Sequence, residues 1–304
     1  MKVLVLGGAG FLGSYVVDEL AGRGHQVRVF DKATPRFANQ AATYIEGDVM
    51  DGEAVAEATE GCQAVYNFAG LADLNDSVDR PVETITLNVL GNINVLEACR
   101  KHGVERFVYA SSVYVFSRKG AFYGTSKKCS ELIIEQYAEQ YDLGYTIIRY
   151  GSVYGERADA SNRIYRIIRQ ALAEGKITFP GDGSEEREYV HGRDAAKLSV
   201  DILGDGFRGQ NVILTGLERY RYKDLLGLLR EMMDDKVDIE MLEQDYKGHY
   251  TLTPYSFAPS VGVKLVNNPS VEFGQGLLEC IEHVFHELQD ENLIEGTPFA
   301  NSGE

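Results

Sequence analysis

Val3-Leu4-Val5-Leu6-Gly7-Gly8-Ala9-Gly10-Phe11-Leu12-Gly13 decides how this chain is read. Four apolar residues without polar alternation describe a strand covered on both faces. The glycines end it, and Phe11–Ala21 continues with the spacing of a helix. A glycine-rich turn between strand and helix uses missing side chains in three ways: for the turn itself, for close backbone approach to a pyrophosphate, and for tight helix–sheet packing. The unpaired N–H groups at the helix start point to the same place. Gly7, Gly10, Phe11, Leu12 and Gly13 are therefore a candidate cradle for a dinucleotide.

The alternation continues outward. Val27–Phe30, Thr43–Ile45, Ala64–Asn67, Arg106–Tyr109 and Tyr145–Arg149 read as strands, with helices at Asp51–Ala58, Pro81–Lys101 and Thr125–Tyr141. Strand–helix repetition implies parallel strands and crossover helices, so residues 1–150 are expected to form an α/β, doubly wound Rossmann sheet. Beyond Tyr150 the pattern loosens: helices at Arg163–Ala173, Asp194–Leu203, Tyr222–Met233 and Gly276–Leu288, short strands at Ile177–Phe179 and Val212–Leu214. Residues 151–288 are expected to form a smaller C-terminal substrate-binding lobe, with segments near 191–215 returning to the sheet. Residues 248–276 show no clear period, and the acidic stretch 289–304 reads as a frayed tail.

Asp31 ends the second strand, 18 residues after Gly13, where a carboxylate can accept both adenosine-ribose hydroxyls. It would repel a 2′-phosphate, which favours NAD over NADP, although Lys32 and Arg36 beside it pull the other way. Asp48-Val49, after the third strand, is placed to meet the adenine edge. Tyr123-Gly-Thr-Ser-Lys127 opens a long helix, and the four-residue offset puts phenol and ammonium on one face. An ammonium there is expected to lower the phenol's pKa toward working pH. A phenolate can then take a carbinol proton while hydride leaves for a nicotinamide.

With these residues the chain resembles the extended short-chain dehydrogenase/reductase family, in its sugar-nucleotide epimerase/dehydratase branch. The resemblance runs from Met1 to about Leu288, through Asn67-Phe68-Ala69-Gly70, Ser111-Ser112, Tyr123/Lys127, Arg149-Tyr150-Gly-Ser-Val-Tyr-Gly155 and Arg187-Glu-Tyr-Val-His191. It implies that Phe68, Ala69 and Gly70 line the cofactor and that Asn88 reaches it. It implies too that Lys127 holds the nicotinamide ribose and that Tyr150 packs nearby. Ser112, with Ser111 as runner-up, would hydrogen-bond the reacting sugar oxygen beside Tyr123, and Arg187 would grip the substrate diphosphate. His191 is a structural residue in that pattern. Ser112 is followed by Val113-Tyr114 where the dehydratases carry Asp-Glu, which argues against a 4,6-dehydratase. The asparagine usual after the sixth strand is also missing, so other groups read the sugar.

Composition sets the remaining expectations. Thirty Lys and Arg against 46 Asp and Glu leave a net charge of −16, which repels nucleic acid and anionic membrane. The four cysteines stand far apart without metal-ligand spacing, so they read as reduced and buried, with no metal site, in a cytoplasmic protein. Three functions are carried forward: a UDP-glucose 4-epimerase-like enzyme using NAD on a nucleotide-diphosphate sugar, a dehydrogenase or 4-keto reductase on the same substrates, and a non-catalytic NAD-binding regulator. The family's helix pairing implies a homodimer. Leu132, Ile133, Ile134, Tyr137 and Tyr141 supply more apolar positions than one core stripe needs, unless they pack under the substrate lobe.

Overall fold

A computed structural model describes residues 1–243, 263–265, 268–296 and 298. Most of the 248–276 segment read as aperiodic, and residues 297 and 299–304 of the expected tail, lie outside the described residues. The chain begins with β1 (Lys2–Leu6), α1 (Phe11–Gly22), β2 (Gln26–Asp31), β3 (Ala42–Glu46), α2 (Gly52–Thr59) and β4 (Ala64–Asn67). A helical rod follows: α3 (Leu74–Asp79), α4 (Pro81–Ile85), a π turn at Thr86–Leu90, and α5 (Gly91–His102). The helix expected at Pro81–Lys101 is thus continuous in course but loosened by the π turn around Asn88. Then come β5 (Arg106–Ser112), α6 (Ala121–Tyr141), β6 (Tyr145–Tyr150), β7 (Ser152–Tyr154), α7 (Arg163–Glu174), β8 (Lys176–Pro180) and β9 (Glu186–His191). The described chain closes with α8 (Gly192–Asp201), β10 (Gln210–Leu214), β11 (Arg219–Arg221), α9 (Tyr222–Met232), β12 (Asp238–Leu242), β13 (Val263–Leu265) and α10 (Phe273–Asp290).

Eight strands form one parallel sheet in the order β13-β10-β6-β5-β4-β1-β2-β3. The fold is α/β and doubly wound. Alternate residues of β1 face opposite cores. Val3 and Val5 pack with Val16, Leu20, Ala195 and Leu198 of α1 and α8, while Leu4 and Leu6 pack with Val55, Val95, Phe107 and Ile134 beneath α2, α5 and α6. That is why the β1 sequence shows no polar alternation. A third core, built on Ile164, Ile168, Phe179, Leu225, Leu277 and Ile281, ties α7, α9 and α10 around the small β12-β8 sheet. The strand order reverses between β1 and β4, which opens a crevice beyond their carboxyl ends. The glycine turn leaves β1 there, and Phe68-Ala69-Gly70 leaves β4 beside it.

Cys62, Cys99 and Cys280 are buried and free, but Cys129 is exposed, contrary to the sequence reading. Its face of α6 also carries exposed Phe122 and Leu132, so no core lies there for a thiol to enter. Among the described residues no helix is long and apolar enough to cross a membrane.

Candidate active site

At the crevice, Gly7 stands at φ 74°, and a Cβ on it would come within 2.6 Å of Ala69 N. A Cβ on Gly13 would lie 2.3 Å from the Gly7 carbonyl. The turn therefore brings bare backbone against both the β4 loop and α1. Gly10 caps α1 without a side chain, so no cap group occupies the first-turn N–H groups. The space beyond, about 340 Å³, is lined by Gly7, Gly10, Asp31, Lys32, Asp48, Val49, Phe68, Ala69 and Gly70. Asp31 accepts N–H groups from Ala9 at 2.9 Å and Ala33 at 3.0 Å, which anchors the carboxylate at the edge of this space. These residues fit a dinucleotide whose pyrophosphate lies on the glycine turn.

A contiguous cleft of about 420 Å³ continues toward the C-terminal lobe, lined by Phe11, Leu12, Ser111, Ser112, Tyr123, Lys127 and Tyr150, and across from them by Asp73, Asn162, Arg163, Arg166 and Tyr222. Ser112 and Tyr123 share a side-chain hydrogen bond. Burial pushes the Tyr123 phenol above its ordinary value, with the Ser112 bond opposing. The expected lowering by Lys127 is not present, for a geometric reason. Lys127 Nζ donates to Ala110 O at 2.8 Å and lies 4.7 Å and 5.8 Å from the Tyr109 and Tyr123 ring centroids, over the faces. Burial also pushes the Lys127 ammonium down to about 8, against the pull of Glu131.

The two serines separate cleanly. Ser111 Oγ donates to Glu131 Oε1 at 2.6 Å, and Glu131 receives Arg149 Nε and Nη2 at 2.9 Å each, all buried behind the cleft wall. Ser112 is the hydroxyl beside the phenol. We expect Ser112→Ala to slow turnover by at least ~10² with NAD affinity spared. Ser111→Ala should lower thermal stability more than turnover, a contrast read by steady-state kinetics and melting curves on the two variants.

Two expectations need correction. Asn88 does not line the cleft: its Oδ1 accepts the Leu71 N–H at 2.7 Å, and its Nδ2 donates to Leu71 O and Ser126 Oγ, both at 2.9 Å. With three of its bonds spent inside the protein, it clamps the loop after β4 to the Tyr123–Lys127 helix. Arg187 is 2% exposed in β9, donates to Glu186 O, and lies 5.4 Å from the Tyr222 ring centroid, beneath the cleft surface. The described cations that line the wide cleft are Lys127, Arg163 and Arg166. Arg163 lies 5.6 Å from the centroid of the same Tyr222 ring, and Arg166 reaches across the cleft to Asp73 at 3.1 Å. The Asn162 cap followed by Arg163-Ile-Tyr-Arg166 was a readable helix start; only its position over the cleft was hidden. Tyr150 lines the cleft with its ring near Phe68 and its hydroxyl 2.6 Å from Ser199 Oγ.

Among the described residues, Glu156, His191 and Glu279 approach one another closely enough to suggest a metal site. His191 Nδ1 accepts the Arg193 N–H at 3.2 Å, so the neutral ring carries its proton on Nε2, 3.3 Å from Glu156 Oε2. No lone pair then faces the cluster. Arg193 already bridges both carboxylates, at 3.0 and 3.1 Å. The group is a helix cap and an ion-pair lock between α8 and α10.

The chain is 31% identical, over 66% of its length and 73% of the relative's, to a putative UDP-glucose 4-epimerase of Methanocaldococcus jannaschii. The crystal structure of Thermus thermophilus UDP-glucose 4-epimerase complexed with NAD superposes with a TM-score of 0.78 at 26% identity, covering 93% of this chain and 99% of that one. UDP-glucuronic acid 4-epimerase from Bacillus cereus shares the fold with a TM-score of 0.83 at 21% identity, over 94% of this chain and 100% of that one. A family model described as the NAD dependent epimerase/dehydratase family matches residues 3–214, and the chain belongs to that family of NAD-dependent enzymes.

Proposed function

We propose that the chain inverts C4 of a nucleotide-diphosphate sugar through a 4-keto intermediate. The observation that carries this reading is the Ser112–Tyr123 pair beside Lys127, on a wall shared by the glycine cradle and the residues of the C-terminal lobe. Bound NAD supplies the hydride acceptor and, when oxidised, a positive charge. Tyr123 takes the C4 hydroxyl proton and later returns it. Ser112 hydrogen-bonds the same oxygen, and Lys127 holds the ribose. Val113, buried, and Tyr114, edge-on to Tyr123, fill the positions an acid–base pair for elimination would need, which favours epimerisation over dehydration.

Asp31 favours NAD over NADP, and Arg36, one of the two described cations that line the same space, is engaged by Glu287 on α10. Arg163, which lines the cleft beside the Tyr222 ring, is the diphosphate-binding cation in this reading. The cytoplasm, where thiols stay reduced, is the compartment this chemistry implies. A homodimer fits the exposed apolar side chains Val82 and Ile85 of α4 and Phe122 and Leu132 of α6. Sedimentation should return twice 33.7 kDa, and Leu132→Asp should return a monomer.

The test is an assay of several nucleotide sugars for C4 inversion with catalytic NAD. Inversion without net NADH supports the proposal. Stoichiometric NADH would instead make the enzyme a dehydrogenase.

A further inference from the structure

Behind the cleft wall lies a charged assembly with no place in the mechanism above. Glu131 stands one helical turn beyond Lys127 on α6, so the two side chains share a face. Its carboxylate accepts three hydrogen bonds from two residues. Arg149 of β6 meets it in a two-pronged pair, both bonds 2.9 Å, and Ser111 of β5 donates at 2.6 Å. Ser111 and Arg149 are themselves register partners across the β5–β6 ladder. Phe116 covers the guanidinium, with its ring centroid 4.8 Å from Cζ. Both charged side chains are at most 8% exposed.

Burying two charges is expensive, and an apolar pair of like volume would often serve stability as well or better. Stability alone therefore does not account for the arrangement. Its position does suggest a use: Lys127 Nζ is pinned to Ala110 O, the residue before Ser111. The titratable groups against Lys127 are Tyr109 from β5 and Tyr123 and Glu131 from α6. Glu131 is the one carboxylate among them.

We propose that Glu131, fixed by Arg149 and Ser111, is a positioning residue that keeps Lys127 charged in its buried site. The inference rests on the assignment of Lys127 to the active site, but not on the identity of the sugar. Arg149 and Ser111 hold the carboxylate in place on the helix face that also carries Lys127. Burial works against the ammonium, and Glu131 is the group that opposes it. Without Glu131 the ammonium should give up its proton at a lower pH, which weakens the ribose contact.

The experiment titrates Lys127 directly, by carbon-detected NMR of the full chain labelled at lysine Cε, with the resonance assigned by its loss in Lys127→Arg. The parent should titrate near pH 8. Glu131→Gln should move the midpoint down by at least one pH unit, and the high-pH limb of turnover should move with it. Glu131→Asp should recover part of the shift. Because Glu131→Gln strands the Arg149 charge, the double variant Glu131→Gln/Arg149→Met is measured alongside. It should regain thermal stability yet keep the lowered midpoint. A Lys127 midpoint unchanged in both variants overturns the proposal, whatever their stability. A shifted midpoint in a protein that inverts no sugar would leave this inference standing and sink the proposed reaction.

Discussion

Tyr123→Phe should lower turnover by ~10²–10⁴, the contribution typical of a positioned acid–base group. The substitution removes one oxygen and leaves the ring packed edge-on against Tyr114. The glycine turn, Asp31 and Lys127 are untouched, so NAD affinity should stay within about threefold of the parent, an order-of-magnitude expectation for a change outside the cradle. The result matters because the phenol is not pre-ionised: burial holds it up, and Lys127 faces rings instead of the hydroxyl. The proton transfer therefore has to draw on charge that arrives with oxidised cofactor. Near-full turnover in Tyr123→Phe on the true substrate would show that another group moves the proton.

Gly13→Ala should remove cofactor binding with the reverse selectivity. A Cβ there meets the Gly7 carbonyl at 2.3 Å and Gly8 Cα at 2.9 Å, both backbone, so the turn must move as a unit. Losing two charge-assisted bonds to the pyrophosphate, at about 1.5–3 kcal/mol each, corresponds to a ~10²–10⁴ rise in the NAD dissociation constant. The strain should also cost about 1–3 kcal/mol of stability, or roughly 2–12 °C in the melting temperature of NAD-free protein. Calorimetric titration with NAD reads the first effect and thermal unfolding the second. Unaltered NAD affinity would mean that the dinucleotide does not lie on this turn.

The sheet was legible because β1, β4, β5 and β6 are buried on both faces and read largely as apolar runs. Most of the strands that escaped notice, β9, β11, β12 and β13, carry charge. Glu186-Arg187-Glu188 looks like a solvated loop, yet Arg187 and Glu188 are buried in β9, where Glu188 pairs with Arg219 and Lys264. Cross-strand neutralisation of that kind joins residues distant in sequence, and no local period records it. The same limit explains Asn88 and Arg187. Motif position placed both near the site, but which way a buried amide or guanidinium turns depends on partners from other elements, here Leu71, Ser126 and Tyr222. Ser111 and Ser112, adjacent in sequence, were distinguished only once strand alternation sent one to Glu131 and the other to Tyr123.

The strand order also sets a timetable for the newborn chain. The outer apolar face of α1 packs under α8, and Arg23 ties the two together through Asp201 and the Lys197 carbonyl. Some 170 residues separate the end of α1 from the start of α8. At ribosomal speed that is a wait of roughly 10–35 s, during which β1 to β6 can assemble while one side of the sheet stays uncovered. The edge place that β10 will fill beside β6 stays open for the shorter span of about 60 residues between those two strands. Synthesis, not the finished fold, is therefore where this apolar face of α1 stays longest exposed.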